Sequence, residues 1–484
     1  MEHLILETPV YGTDADLLAV GLPQASPPVL PEPLIAAFGP GLVQHLADET
    51  FTGKAESSLA LPSLGHLPVR QVLLVGLGSG SVDELRAAAG VAGLAARKRG
   101  AERAVLEFSA ARPGAAEGVA MVEGFSAGNY AFDRHKAESK RKAACRTLLL
   151  ALDPAHGGSL GQAAVVARAQ DLVRDLVNEP ADVVYPETLA SFAASLATER
   201  LEVTVWDHER LQAEGMGGIW AVGRGSARLP RFVHMQYRPE GAARLKVALV
   251  GKGVTFDSGG LSLKPADGMD TMRCDMAGAA TVIGALHAVA QLGLPVELHG
   301  VFGAAENMNS GSAYKLGDIL RIYDGTTVEV HNTDAEGRLL LADCLAYASR
   351  LGVDTCLDLA TLTGACVVAL GHRYTGLFTE DDELAAQLLA AADRAGDGLW
   401  RLPLADHFRK LLEAEWADTN HIGPRWGGAS SAAVFLQGFV KGPRWAHLDI
   451  AGPAFLEKPE RYYGKGATGA MLRTVLAWLQ GRLA

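Results

Sequence analysis

The chain has 484 residues, of which 49% are hydrophobic and 20% charged, and its formal net charge is −11. That length exceeds one ordinary hydrophobic core, so two domains are expected, and the composition is that of a soluble globular protein. The acidic balance argues against a general nucleic-acid or anionic-membrane surface, and no apolar run reaches the roughly 20 residues that span a bilayer.

The opening stretch MEHLILETPVYGTDADLL carries early acids and lacks a basic start before a long apolar run, so it does not read as a signal peptide. Val69–Gly78 reads as a buried strand followed by the Ala-rich helix DELRAAAGVAGLAARKRG, and Ala101–Phe108 and Arg146–Leu152 supply two further strands. The GLGSG of Gly76–Gly80 has Ser81 where the third glycine of a dinucleotide fingerprint belongs, so a tight strand-to-helix turn is the better reading. From about Gly161 the apolar residues fall at helical spacing, and that pattern stops at Pro180. Beyond Pro186, Leu201–Trp206, Arg231–Tyr237, Leu245–Gly251, Val296–Gly303, Thr355–Leu362 and Trp445–Gly452 are short apolar strands. Several alternate with Ala/Leu-rich helices such as Ala277–Leu292.

This alternation predicts an α/β protein of two domains. A smaller N-terminal α/β domain is expected over residues 1–155 and a helical connection over 156–185. A larger C-terminal α/β/α domain with a mainly parallel central sheet is expected over 186–484. The five cysteines (Cys145, Cys274, Cys344, Cys356, Cys366) are scattered and lack C-x-x-C spacing. They fit reduced core residues and a cytoplasmic setting.

Three segments carry the chemistry. Val250–Pro265 (VGKGVTFDSGGLSLKP) begins at a predicted strand end, where α/β sheets place ligands, and holds Lys252, Asp257 and Lys264. Its VGKGVT lacks the flanking residues of a phosphate loop, and Ser258 in FDSGG reads as a turn residue rather than a nucleophile. Met272–Ala280 places Asp275 directly before an apolar helix, where a lone acid is usually an N-cap. Asn332–Asp343 (NTDAEGRLLLAD) sets Asp334 and Glu336 two apart, so an extended segment points both to one face, with Arg338 two further on. Singly, each charge has a plainer use as a turn former or a solvated side chain. Together they sit in apolar, glycine-rich sequence, where unpaired carboxylates are costly. Four carboxylates (Asp257, Asp275, Asp334, Glu336) balance two divalent ions of the Mg, Mn or Zn kind and leave Lys264 and Arg338 to meet charge developing on a substrate.

These three segments, in this order, resemble the leucyl aminopeptidase (M17, cytosol aminopeptidase) family, and NTDAEGRL is highly specific to it. The resemblance extends through Arg174–Asp182, Gly215–Ser226, Glu306–Tyr314, Asp358–Cys366 and His447–Phe455, and more loosely to Glu123–Lys136. It implies a metal-dependent exopeptidase that removes an N-terminal residue, preferably Leu or another apolar residue, from short peptides through a two-metal-bridged hydroxide. By motif position it implies one metal on Asp257, Asp334 (its backbone carbonyl included) and Glu336. A second would be held by Lys252, Asp257, Asp275 and Glu336. The resemblance further implies that Lys264 meets the peptide carbonyl, that Arg338 holds a bicarbonate acting as general base, and that Thr361, Leu362 and Gly364 line the substrate site. The implied ions are Mn or Zn, with Mg or Co as alternatives, and the implied assembly is a homohexamer, a dimer of trimers, with no membrane partner. Lys252 must be neutral to donate a lone pair, which costs about 4–5 kcal/mol at pH 7 from a pKa of about 10.4. Asn309 and Leu316 depart from the family's usual prolines and bear on loop or pocket shape. A nucleic-acid-binding scaffold is opposed by the acidic charge, and another two-metal hydrolase by NTDAEGRL and its companion segments.

Overall fold

The computed structural model describes residues 1–6 and 9–483, which divide into two units. One comprises Met1–Asp171 with Glu457–Lys465, the other Leu172–Leu456 with Gly466–Ala484.

In the first unit, six strands form one sheet: β1 (Glu2–Ile5), β2 (Ala15–Leu22), β3 (Ser58–Pro62), β4 (Val69–Gly76), β5 (Arg103–Glu107) and β6 (Thr147–Leu150). Their order is β1-β6-β5-β2-β4-β3, parallel except where β3 runs against β4. The turn after β4 is of the expected strand-to-helix kind. Gly78 and Gly80 take positive φ, and Ser81 and Glu84 form a capping box at the start of helix Val82–Arg99. Sequence patterning missed β1, β2 and β3; β2 (ADLLAVGL) is apolar nearly throughout and has no alternation to mark it.

The second unit holds β7 (Leu201–Trp206), β8 (Arg231–Tyr237), β9 (Lys246–Asp257), β10 (Glu297–Asn307), β11 (Ile319–Arg321), β12 (Thr327–Glu329), β13 (Thr355–Ala360), β14 (Tyr374–Phe378), β15 (Gly398–Arg401), β16 (Thr419–Asn420) and β17 (Arg444–Asp449). Eight of these make a sheet in the order β15-β14-β17-β13-β9-β10-β8-β7. Its centre, β17-β13-β9-β10, is parallel. β13 is buried at every position, as a strand covered on both faces must be. β11, β12 and β16 form a separate small sheet.

β9 and β10 run further than their apolar runs suggest, to Asp257 and Asn307. They pair along this whole length through an irregularity at Ala305/Glu306, and that pairing keeps the glycine-rich VGKGVTFD extended. Helix Ala277–Leu292 lies where its periodicity places it, and the long helix Gly157–Asn178 ends just before Pro180. The five cysteines are buried and free. Among the described residues, no helix is long and apolar enough to cross a membrane.

Candidate metal centre

Parallel strands deliver their C-terminal ends to one side of a sheet, and there β9, β13 and β17 end in Asp257, Ala360 and Asp449, beside Asn307 of β10. Lys252 lies five residues deeper in β9 and is only 3% exposed. Its Nζ stands 2.7 Å from Asp275 Oδ1 and 2.9 Å from Glu336 Oε1, and donates to the Thr361 carbonyl at 3.0 Å. Its stem passes close over Gly337, where a Cβ would come within 2.4 Å of Lys252 Cε. Only glycine leaves that passage open.

The second half of the cluster forms around Lys264, whose Nζ lies 2.9 Å from Asp257 Oδ2 and 2.6 Å from Asp334 Oδ1. Carboxylate oxygens of Asp257, Asp334 and Glu336 all lie within 4.8 Å of one another. Asp334 and Glu336 do not share the face of an extended segment, as their spacing suggested. They occupy a turn that runs straight into helix Gly337–Ala348, with Glu336 at φ −73, ψ −36. Asp275 is not an N-cap either: it lies in the 3-10 turn Met272–Met276, and its carboxylate accepts from the Thr361 hydroxyl at 2.7 Å.

Side chains outside the predicted set fix these loops. Asn307 Nδ2 donates to Asp257 Oδ1 at 2.7 Å and to the Thr333 carbonyl at 2.9 Å, so one amide ties two ligand-bearing segments together. Thr333 also donates through its hydroxyl to the Gly259 carbonyl and accepts from the Ser262 amide, and Tyr314 donates to the Thr333 carbonyl. Gly259 takes φ +84, and a side chain there would meet Ser262 O and Asp334 Oδ1. Arg338 is buried and donates through Nη1 to the His421 carbonyl at 2.8 Å, while the His421 imidazole lies against the carbonyls of Glu329 and Asn332. The Leu362 amide donates to Asp449, and Gly364 opens an exposed helix start where a Cβ would meet nothing within 4 Å.

The charges shift each other in the expected senses. Burial raises the Asp257 carboxyl to about 6, with Glu336 adding to the rise and Lys264 and Lys252 opposing it. Burial likewise raises Asp275 and Asp334. Burial disfavours the charge on Lys252, but Asp275, Glu336 and Asp257 outweigh it and hold the amine above its ordinary value. Lys264 is held up in the same way, chiefly by Asp257 against burial. Burial brings Arg338 down to about 10, which leaves it a cation at neutral pH.

A divalent ion fits this set. Asp275 Oδ2 and Glu336 Oε2 are buried without a hydrogen-bond partner, a costly arrangement that a cation would relieve. The donors are carboxylate oxygens and one amine, which suit hard or borderline ions.

Residues 171–476 match the cytosol aminopeptidase family, catalytic domain, and residues 29–139 match that family's N-terminal domain. A probable cytosol aminopeptidase of Geobacter sp. (strain M21) is 45% identical over 457 residues, 92% of each chain. The chain belongs to the cytosol aminopeptidase family. It is thus a metal-dependent aminopeptidase, a hydrolase. A second relative, the probable cytosol aminopeptidase of Roseiflexus castenholzii, is 43% identical over 97% of this chain and 96% of its own. Among solved structures, a tomato leucine aminopeptidase variant superposes with a TM-score of 0.89 at 33% identity, covering 99% of this chain and 96% of that one. The bottromycin maturation enzyme BotP in complex with Mn does so with a TM-score of 0.87 at 38% identity, covering 96% and 99%. In this aminopeptidase Asn309 and Leu316, the two departures from the family pattern, are both exposed.

Proposed function

We propose that the enzyme removes N-terminal Leu or other apolar residues from short peptides with two divalent ions, Mn or Zn, bound at this cluster. Asp257, Asp334 and Glu336 would hold one ion, Asp334 through its backbone carbonyl as well. Lys252, Asp257, Asp275 and Glu336 would hold the other. Such ions supply Lewis acidity, polarising the scissile carbonyl and bringing the pKa of bound water towards neutrality. Lys264 directs its ammonium to the oxygen on which negative charge develops. Arg338 holds a bicarbonate as general base, its guanidinium kept in place by the His421 carbonyl. Thr361, Leu362 and Gly364 form one wall of the substrate site. As a ligand Lys252 would act as a neutral amine, its proton displaced to solvent when the ion binds, and its remaining N–H groups would still reach the Thr361 carbonyl.

The observation that carries this reading is the excess of buried carboxylate over cation, with two carboxylate oxygens unsatisfied. We further propose a cytoplasmic homohexamer, a dimer of trimers, with catalysis in residues 186–484, a helical connection over 156–185 and an N-terminal domain over 1–155. Sedimentation of the purified protein tests the assembly. Hydrolysis of Leu-p-nitroanilide by metal-stripped protein, resupplied with Mn or Zn, beside Asp334→Ala, tests the chemistry. Metal-restored cleavage that vanishes in the variant is expected. Bound metal without cleavage of any aminoacyl anilide moves the site to another substrate.

A further inference from the structure

Asp449 ends β17 and is fully buried, opposite Ala360 in the β13–β17 register. Its side-chain hydrogen bonds all come from the loops on either side, which supply three donors. Its Oδ1 accepts from the Leu362 amide at 3.2 Å and from the Ala451 amide at 3.1 Å. Its Oδ2 accepts from the Thr363 hydroxyl at 2.7 Å.

The Leu362 amide belongs to the same peptide group as the Thr361 carbonyl. That carbonyl accepts from Lys252 Nζ at 3.0 Å, and the Thr361 hydroxyl donates to Asp275. One rigid, planar peptide is therefore held at its N–H end by a buried carboxylate and at its C=O end by the Lys252 amine. A carboxylate on the N–H polarises the peptide and strengthens its carbonyl as an acceptor. The peptide also fixes where the Thr361–Gly364 backbone runs. Beneath it, β17 is itself braced: His447 Nδ1 and Trp445 Nε1 both reach Asp358 of β13, at 2.5 and 2.7 Å.

We infer that Asp449 is a positioning residue, acting through the Thr361–Leu362 peptide to orient the Lys252 amine and to set the substrate-facing loop. The inference rests on the metal-site reading above, in which Lys252 is a ligand. Outer-shell partners of metal ligands are typically worth about 10–100-fold in metal affinity or activity.

The test compares Mn affinity, by titration of the stripped protein, and kcat and KM on Leu- and Ala-p-nitroanilide, for wild type, Asp449→Asn, Thr363→Val and Asp334→Ala. D449N keeps the shape and removes the charge. It is expected to weaken Mn binding and kcat/KM by about 10–100-fold and to shrink the Leu-to-Ala preference, with a circular dichroism spectrum like that of wild type. T363V removes one Asp449 donor and the cap of helix Gly364–Leu370 but leaves the Leu362 hydrogen bond, so it keeps wild-type Mn affinity. D449N with wild-type Mn affinity and selectivity overturns the inference, as does T363V that matches D449N in Mn binding. Where D449N fails to fold, Leu362→Pro removes the amide that donates to Asp449, and its Mn affinity alone is read in its place. Cleavage that survives in D334A overturns the metal-site reading itself, whereas its loss there beside an unaffected D449N overturns only the role of Asp449.

Discussion

Both units of this aminopeptidase build a mainly parallel sheet with helices, but they balance buried charge differently. In the N-terminal unit, Arg86 lies buried 3.3 Å from Glu123, and the Glu107 carboxyl at the end of β5 takes a hydrogen bond from Ser109. In the catalytic unit, Lys252 and Lys264 face four carboxylates, and buried oxygens of Asp275 and Glu336 have no hydrogen bond. A parallel sheet is indifferent to chemistry. What marks the site is an excess of carboxylate over cation, since a matched buried pair needs no ligand to be stable.

Breaking each arrangement should therefore fail in a different currency. Asp257→Asn in the catalytic cluster is expected to cost about 10²–10³-fold in kcat, a typical loss for one preorganised electrostatic group. Arg86→Met removes the cation beside Glu123 and is expected to cost about 3–5 kcal/mol of stability, with activity per folded molecule unchanged. Urea melts and anilide assays on both variants check this; an Arg86→Met enzyme that loses kcat ends the contrast. Metal removal sharpens it further. Chelation should lower the stability of the catalytic unit alone, by about 2.7 kcal/mol relative to metal at a hundred times its dissociation constant. Hydrogen exchange resolved by unit reads this, because amides of β2 and β4 should keep their protection while those of β9 and β13 lose some. Gly337→Ala is smaller in stability, about 1–3 kcal/mol from overpacking, and larger in activity, because the new methyl displaces the Lys252 stem. Thermal melts beside Mn-loaded assays separate the two effects.

How much of this was legible in the sequence also divides by region. The α/β class, strands β7, β8, β9, β10, β13 and β17, and the grouping of Asp257, Asp275, Asp334 and Glu336 followed from apolar runs interrupted by charge; β11, β12, β14, β15 and β16 did not, and Lys252 joined the set only through the family resemblance. The acids were legible only in combination, because several unpaired carboxylates together in glycine-rich apolar sequence are costly without a cation, although each alone has a plainer use. Their geometry was not legible: Asp334 and Glu336 meet through a turn and a helix start, a shape fixed by Asn307, Thr333 and Tyr314 from other segments. Asn307, His421 and Asp449 were missed as individual residues for the same reason. Each looks like an ordinary polar residue until the fold brings its partners, 50 or more positions away, within reach. β2 was missed because a strand buried on both faces has no period to read.

Protons give the smallest of these effects. In the catalytic unit, His234 lies 2.9 Å from His299 and 3.1 Å from the Tyr347 hydroxyl, and burial followed by the His299 charge lowers its pKa to about 4. Burial brings His421 down to about 4 as well, and lowers His299. In the N-terminal unit burial takes His3 to about 4. An unfolded histidine titrates near 6.5, so as pH falls below that value the unfolded state takes up the proton first. The contribution of a neutral buried histidine is therefore whole above about pH 6.5 and is lost as pH falls towards 4, at up to about 1.4 kcal/mol per pH unit for one proton. Asp343 works in the opposite sense: burial raises it to about 7, so its contribution is whole below about pH 4 and fades as pH rises through 7. Burial raises Asp257, Asp275, Asp334 and Asp449 as well, so in the stripped catalytic unit these carboxyls join Asp343 against the three histidines, and the histidine contribution is read on a single-residue variant rather than on the unit as a whole. Urea melts of His234→Gln between pH 6.5 and 4.5 should show a shallower slope than wild type, and an unchanged slope would mean that His234 charges in place without opening its contacts to His299 and Tyr347.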